Sequence, residues 1–184
     1  MTIDYICRET KRLKSKYGDD DPFTLARDMG ILLVLEPMGC KPGSCKGFFL
    51  AQSRKRTIIV NSDLPESLLR IVCMHEIGHA VLHAKQSGGS AFHDFALFES
   101  TSRAEYEANM FAADYLLEDD AVLEQLNEDG FFFAAASMLC VPAELLDFKF
   151  RILKNKGYKL DVPLMANSNF LKNVEAPFDG ADEC

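Results

Sequence analysis

Arg70-Ile71-Val72-Cys73-Met74-His75-Glu76-Ile77-Gly78-His79-Ala80-Val81-Leu82-His83 is the stretch from which the rest of the chain can be read. Its apolar residues fall on nearly every face, the mark of a helix buried in a core rather than laid on a surface. The segment runs from about residue 65 to residue 84, opened by Asn61-Ser62-Asp63 and closed near Gly88-Gly89, which predicts one long central helix. On it His75 and His79 stand ~40° apart around the axis and ~6 Å apart along it, a spacing at which two imidazoles can hold one tetrahedral Zn2+. Glu76 lies roughly 60° round from His79 on the same side. Its carboxylate is therefore beside the metal rather than on it, placed as a general base for water activated there. Two histidines and a glutamate are costly to bury in an apolar helix without a metal or hydrogen-bonding partners. Gly78 weakens a mid-helix position by about 1 kcal/mol, which predicts that another backbone passes close to it.

A catalytic zinc site needs a third protein ligand and one open position. His83, His93, Glu99, Glu105, Glu107 and Asp114 are the candidates. His83 continues the i, i+4 row but sits a turn beyond coordination distance, so it reads as a supporting or solvent-facing histidine. In Ser102-Arg103-Ala104-Glu105-Tyr106-Glu107-Ala108-Asn109-Met110-Phe111-Ala112-Ala113, one apolar stripe is formed by Ala104, Ala108, Phe111 and Ala112 and continued by Tyr115 and Leu116. Glu105 lies at the edge of that stripe, with Asn109 one turn further on. Glu107 and Asp114 fall near the opposite face, expected to be wet, where Arg103 can pair with Glu107. Glu105 is the expected third ligand, and Asn109 is placed to orient a ligand side chain. Ser102-x-x-Glu105 also fits a capping box, in which the carboxylate would turn back to the helix start. The upstream His-Glu-x-x-His favours coordination.

Outward from this centre, residues 1–17 show helical spacing stopped by Gly18, and Asp21-Pro22 opens a second short helix that ends at Gly30. Residues 31–36, 47–51 and 57–60 are short runs of β-branched, Leu and Phe residues, which predict a small antiparallel sheet. Residues 86–100, with Phe92, Phe95 and Phe98, are expected to pack down as a lid or wall. Helices are predicted at about 102–117, 119–128, 131–139 and 142–155, punctuated by Gly130, Pro142 and Gly157. The fold class is α+β: a mostly helical single domain over residues 1–163, with the sheet beside the His-Glu-x-x-His helix. Residues 164–184 form a polar, loosely ordered tail.

A chain of 184 residues that is 48% hydrophobic and 26% charged can bury one core. Its net charge of -8 argues against a phosphate-binding surface, so nucleic acid is not an expected direct ligand. No apolar run is long enough to span a membrane, and the N-terminus lacks a signal-peptide pattern; the expected location is the cytoplasm. The six cysteines are scattered and read as reduced thiols, with Cys40 and Cys45 flanking a Pro-Gly turn.

Three segments together resemble the ImmA/IrrE family of metallopeptidases. They are Ile58-Ile59-Val60-Asn61, the stretch from Arg70 through His75-Glu76-Ile77-Gly78-His79 to Ala80, and Glu105-x-Glu107-Ala108-Asn109-x-Phe111-Ala112-Ala113-x-x-Leu116-Leu117. The resemblance covers about residues 20–155. It implies zinc held by His75, His79 and Glu105, with Glu76 as base, and a C-terminal helical region at residues 141–153. It also implies an endopeptidase whose substrate is a helix-turn-helix repressor encoded nearby, as in phage or mobile elements. The chain departs from the family's usual Met-Pro after the Leu pair, carrying Glu118-Asp119 there. His93, Tyr106 or a backbone amide of residues 47–51 are the candidate donors to the tetrahedral oxyanion. The alternative reading is a non-proteolytic antirepressor that grips a DNA-binding regulator. An intact Glu76 discriminates against it, since a purely structural metal site needs no base.

Overall fold

The computed structural model describes residues 1–18, 21–41, 43–52, 55–84, 92–94, 102–129 and 132–160. The expected tail and most of the expected lid lie outside the described residues. The described part is a single α+β body with a mixed four-stranded sheet, and none of its helices is long and apolar enough to cross a membrane.

Helix α1 (Ile3–Tyr17) begins at Thr2, whose hydroxyl accepts from the Tyr5 amide. In α2 (Pro22–Asp28) the Asp21 carboxylate accepts from the Phe23 and Thr24 amides, and proline, lacking an N–H, takes the first position. Gly30 then turns the chain with φ +66°, a conformation that favours glycine. Strands β1 (Leu32–Glu36), β2 (Gly47–Gln52) and β3 (Lys55–Asn61) follow, then α3 (Glu66–Leu82), the short β4 (Phe92–Asp94) and four more helices. These are α4 (Arg103–Leu116), α5 (Asp119–Asp129), α6 (Phe132–Met138) and α7 (Ala143–Asn155).

The strand order is β1-β3-β2-β4. β2 pairs antiparallel with both β3 and β4, whereas β1 pairs parallel with β3, Leu33 opposite Ile58. The sheet is thus mixed rather than wholly antiparallel. The connection over residues 37–46 carries the chain past the neighbouring position, and the β2–β3 hairpin folds β3 back into it. Asn61 fixes that connection. Its amide oxygen accepts from the Met38 and Asp63 amides, and its nitrogen donates to the Gly39 and Cys45 carbonyls at 2.8 and 2.9 Å. A buried asparagine with its donors and acceptor all used holds backbone in place at no desolvation penalty.

α3 packs against α4 and α2 and against β2 and β3, so residues 71–80 are buried without a break. This is the all-round apolar helix that the sequence predicts. The close approach expected at Gly78 is present: a Cβ there would lie 3.3 Å from the Ala108 Cα and 3.2 Å from Phe111 Cδ1. The absent side chain lets α4 close onto α3, and that contact sets the distance across which the polar residues of the two helices meet.

Candidate metal centre

α3 places His75, His79 and His83 one turn apart, and the first turns of α4 bring acidic residues to the row from the other side. The Nε2 atoms of His75 and His79 are 3.0 Å apart. Glu105 Oε2 lies 3.0 Å from the first and Oε1 3.4 Å from the second. Zinc–nitrogen bonds of roughly 2 Å give a coordination tetrahedron with an edge of about 3.3 Å, so the two imidazole nitrogens and the Glu105 carboxylate lie within reach of one such ion. Two imidazole nitrogens and a carboxylate aimed at one point repel unless something positive lies among them. A single proton satisfies one pair of them, whereas a divalent ion satisfies all three. His75, His79 and Glu105 also form the one His/Cys/Asp/Glu group able to hold a metal that the described residues contain. The residues present fit such an ion.

Electrostatics favour the same use. Burial pushes the His79 imidazole down from 6.5 to about 4, against the opposing pull of its Glu105 hydrogen bond, so near neutral pH it offers a lone pair. Burial alone would raise the Glu105 carboxyl, but its pairing with the His75 and His79 rings outweighs it and holds that group below the usual carboxylate range. The capping-box alternative is half realised. Ser102 Oγ accepts from the Glu105 amide at 3.2 Å, while the Glu105 carboxylate goes to the histidines.

Glu76 is 0% exposed. β2 comes down beside it at Gly47, where a Cβ would stand 2.7 Å from Val72 Cγ1, 3.0 Å from the Ile59 carbonyl and 3.5 Å from Glu76 Oε1. Gly47 therefore lets the sheet reach the α3 face that carries Glu76. Gly47→Ala is expected to destabilise the chain by about 1–3 kcal/mol through overpacking against a backbone carbonyl. Urea unfolding checks this, as a lower midpoint at unchanged m-value.

Between residues 26 and 150 the sequence matches a peptidase M78 family described as the IrrE N-terminal-like domain. The chain belongs to this family. It is also 33% identical over 139 residues to a protein of Bacillus phage phi105 named "Uncharacterized immunity region protein 2", an overlap of 76% of this chain and 85% of that one. Within this M78 domain the family match runs from α2 into α7 and so takes in α3 and α4, the two helices that carry the cluster.

The remaining candidates fall out differently. Asn109 Oδ1 lies 2.8 Å from His75 Nδ1, the orienting contact expected of it. His83 is buried behind His79, 3.2 Å from its Nδ1. Glu107 and Asp114 are not on a wet face: both are buried. A helical wheel divides one helix into two sides, but α4 is enclosed by α1, α3 and α7. Glu107 receives Arg103 Nε at 2.8 Å, as the i, i+4 spacing suggests, and also His83 Nε2 at 3.0 Å and the N-terminal ammonium. Burial would raise its carboxyl, and these hydrogen bonds instead lower it to about 2. Among the oxyanion candidates, Tyr106 packs its ring 5.7 Å from Phe148 and under Arg151 of α7. Residues 47–49 are flanked by β3 on one side and β4 on the other, with Phe48 opposite His93. Glu99 lies outside the described residues.

Proposed function

We propose that the chain is a zinc-dependent endopeptidase, with His75, His79 and Glu105 as metal ligands and Glu76 as the general base. The observation that carries this reading is the meeting of two imidazoles and a carboxylate whose ligand atoms all lie within 4.8 Å of one another, with a fully buried carboxylate on the residue after His75. A bound Zn2+ would supply a Lewis acid that lowers the pKa of water toward 7 and polarises the scissile carbonyl. Glu76 takes the proton from the attacking water and hands it to the departing amine, and its burial keeps competing solvent away from that exchange. Asn109 holds His75 with Nε2 turned inward. An extended substrate segment can add by backbone pairing at the sheet edge, with its side chains giving selectivity.

The substrate proposed is a helix-turn-helix repressor or similar regulator encoded nearby. The phage relative's name places that protein in an immunity region, and this supports the reading by analogy. Metal analysis of the purified chain is expected to give one zinc per molecule, lost from His79→Ala and Glu105→Ala. Incubation with the neighbouring regulator is expected to yield new fragments that a chelator abolishes. A stable complex without fragments would instead make the protein a stoichiometric antirepressor and overturn the peptidase assignment.

A further inference from the structure

The row of three histidines does not end at the ligand pair, and the hydrogen positions along it follow from one condition. If Nε2 of His75 and of His79 face the metal, each Nδ1 keeps its hydrogen. That of His75 goes to Asn109 Oδ1. That of His79 points at His83 Nδ1, 3.2 Å away, so His83 must be bare at Nδ1 and carry its hydrogen on Nε2. His83 Nε2 lies 3.0 Å from Glu107 Oε2, which must then be a carboxylate oxygen able to accept. The other oxygen of Glu107 receives Arg103 Nε at 2.8 Å. Each step leaves the next group one compatible state.

Resting on the peptidase reading above, we infer that His83 and Glu107 are positioning residues for the metal, holding His79 in its Nε2-bare tautomer through a Glu107–His83–His79 chain. The placement is rigid. His83 caps α3, its amide donating to the His79 carbonyl at 2.9 Å, and both it and Glu107 are buried. α4 therefore engages the histidine row twice, with Glu105 at the metal face and Glu107 at the rear. A carboxylate at the end of such a chain makes the ligand imidazole more basic as well as fixing its orientation.

Co2+ titration of the full-length protein, in competition with a chromophoric chelator, tests this without reference to peptide cleavage. His83→Ala and Glu107→Ala are each expected to weaken Co2+ binding by about 10–100-fold and to alter the cobalt visible spectrum. Glu107→Gln keeps an acceptor oxygen for His83 and is expected to recover most of that loss. Asp114→Asn, buried on the same helix but bonded to Thr10 and Lys149, is expected to leave Co2+ affinity unchanged even where it lowers stability. In the Zn2+-loaded protein, long-range proton–nitrogen NMR is expected to show His83 with its hydrogen on Nε2. A folded His83→Ala protein with wild-type Co2+ affinity overturns the inference, as does an Nδ1–H tautomer at His83. Should His83→Ala not fold, equal losses in Glu107→Gln and Glu107→Ala overturn it instead. A wild-type chain that binds neither ion removes the metal centre itself, an outcome distinct from these.

Discussion

Glu76→Gln is expected to keep both fold and metal while lowering peptide cleavage roughly a thousandfold, the order lost when a positioned general base is removed. The amide matches the carboxylate in shape, so the packing of β2 against α3 is expected to be retained. The three donor atoms belong to other residues and keep their spacing. What the amide cannot do is accept and return a proton. Because an amide is cheaper to bury than a carboxylate, the melting temperature of the variant is expected to equal or exceed that of the wild type. Zinc content, melting temperature and fragment yield on the same preparation decide the matter. Undiminished cleavage at full zinc occupancy would remove Glu76 from the mechanism, and loss of zinc would show that it acts as a ligand.

The contrast between the two central helices explains which parts of this molecule are visible in sequence. From Ile71 to Ala80 α3 is buried without a break, so the pattern is unambiguous: apolar residues all round, interrupted by the histidines and Glu76. Spacing on a single rigid helix then places His75 relative to His79 with no knowledge of tertiary structure. Glu105 could be singled out because it borders the apolar stripe that had to face the core. The same logic misplaces Glu107 and Asp114: Asp114 meets Thr10 of α1 and Lys149 of α7, and Glu107 meets His83 and the N-terminal ammonium. Nothing local to α4 encodes those neighbours. A hint was nonetheless present in His83, a third histidine at the helical repeat of the first two, which needs an acidic or carbonyl partner when buried.

The sheet shows the same limit. Short β-rich runs mark the strands, and the material at residues 53–54 between β2 and β3 suits a hairpin. The parallel pairing of β1 with β3 depends instead on where a ten-residue-scale connection travels, and Asn61 secures it through contacts with residues 16 to 23 positions away. Three-residue β4 is too short to carry an alternating pattern, and only its pairing with residues 47–49 defines it.

The largest expected loss of stability lies away from the candidate metal centre, at Lys149. This lysine is 1% exposed, and its ammonium lies 3.3 Å from Asp114 Oδ1 and 2.6 Å from Asp119 Oδ1. Thr10 of α1 donates to the second oxygen of Asp114, so one charge cluster ties α1, α4, α5 and α7 together. Removing one partner of a buried pair leaves the other charge desolvated, at a cost of about 3–5 kcal/mol. Lys156 also reaches Asp114, at 3.4 Å, and covers part of that deficit, so Lys149→Met is expected near the lower end, about 3 kcal/mol. Asp114→Asn/Lys149→Met should cost less than the two single changes added together, because the carboxylate that Lys149 neutralises has gone too.

The pH dependence has a definite sign. Burial would raise the Asp119 carboxyl, but hydrogen bonds from Lys149 and Lys156 outweigh it and set the folded value below the ordinary 3.8. A depressed carboxyl stabilises the fold above its unfolded pKa and loses that contribution as pH falls through the folded value. The wild type is thus expected to lose stability below about pH 4 more steeply than Lys149→Met, in which Asp119 has lost one of the two cations that lower it. Urea midpoints from pH 7 to pH 3 measure both effects, and parallel curves for the two proteins would show that Lys149 does not hold Asp119 in its charged form.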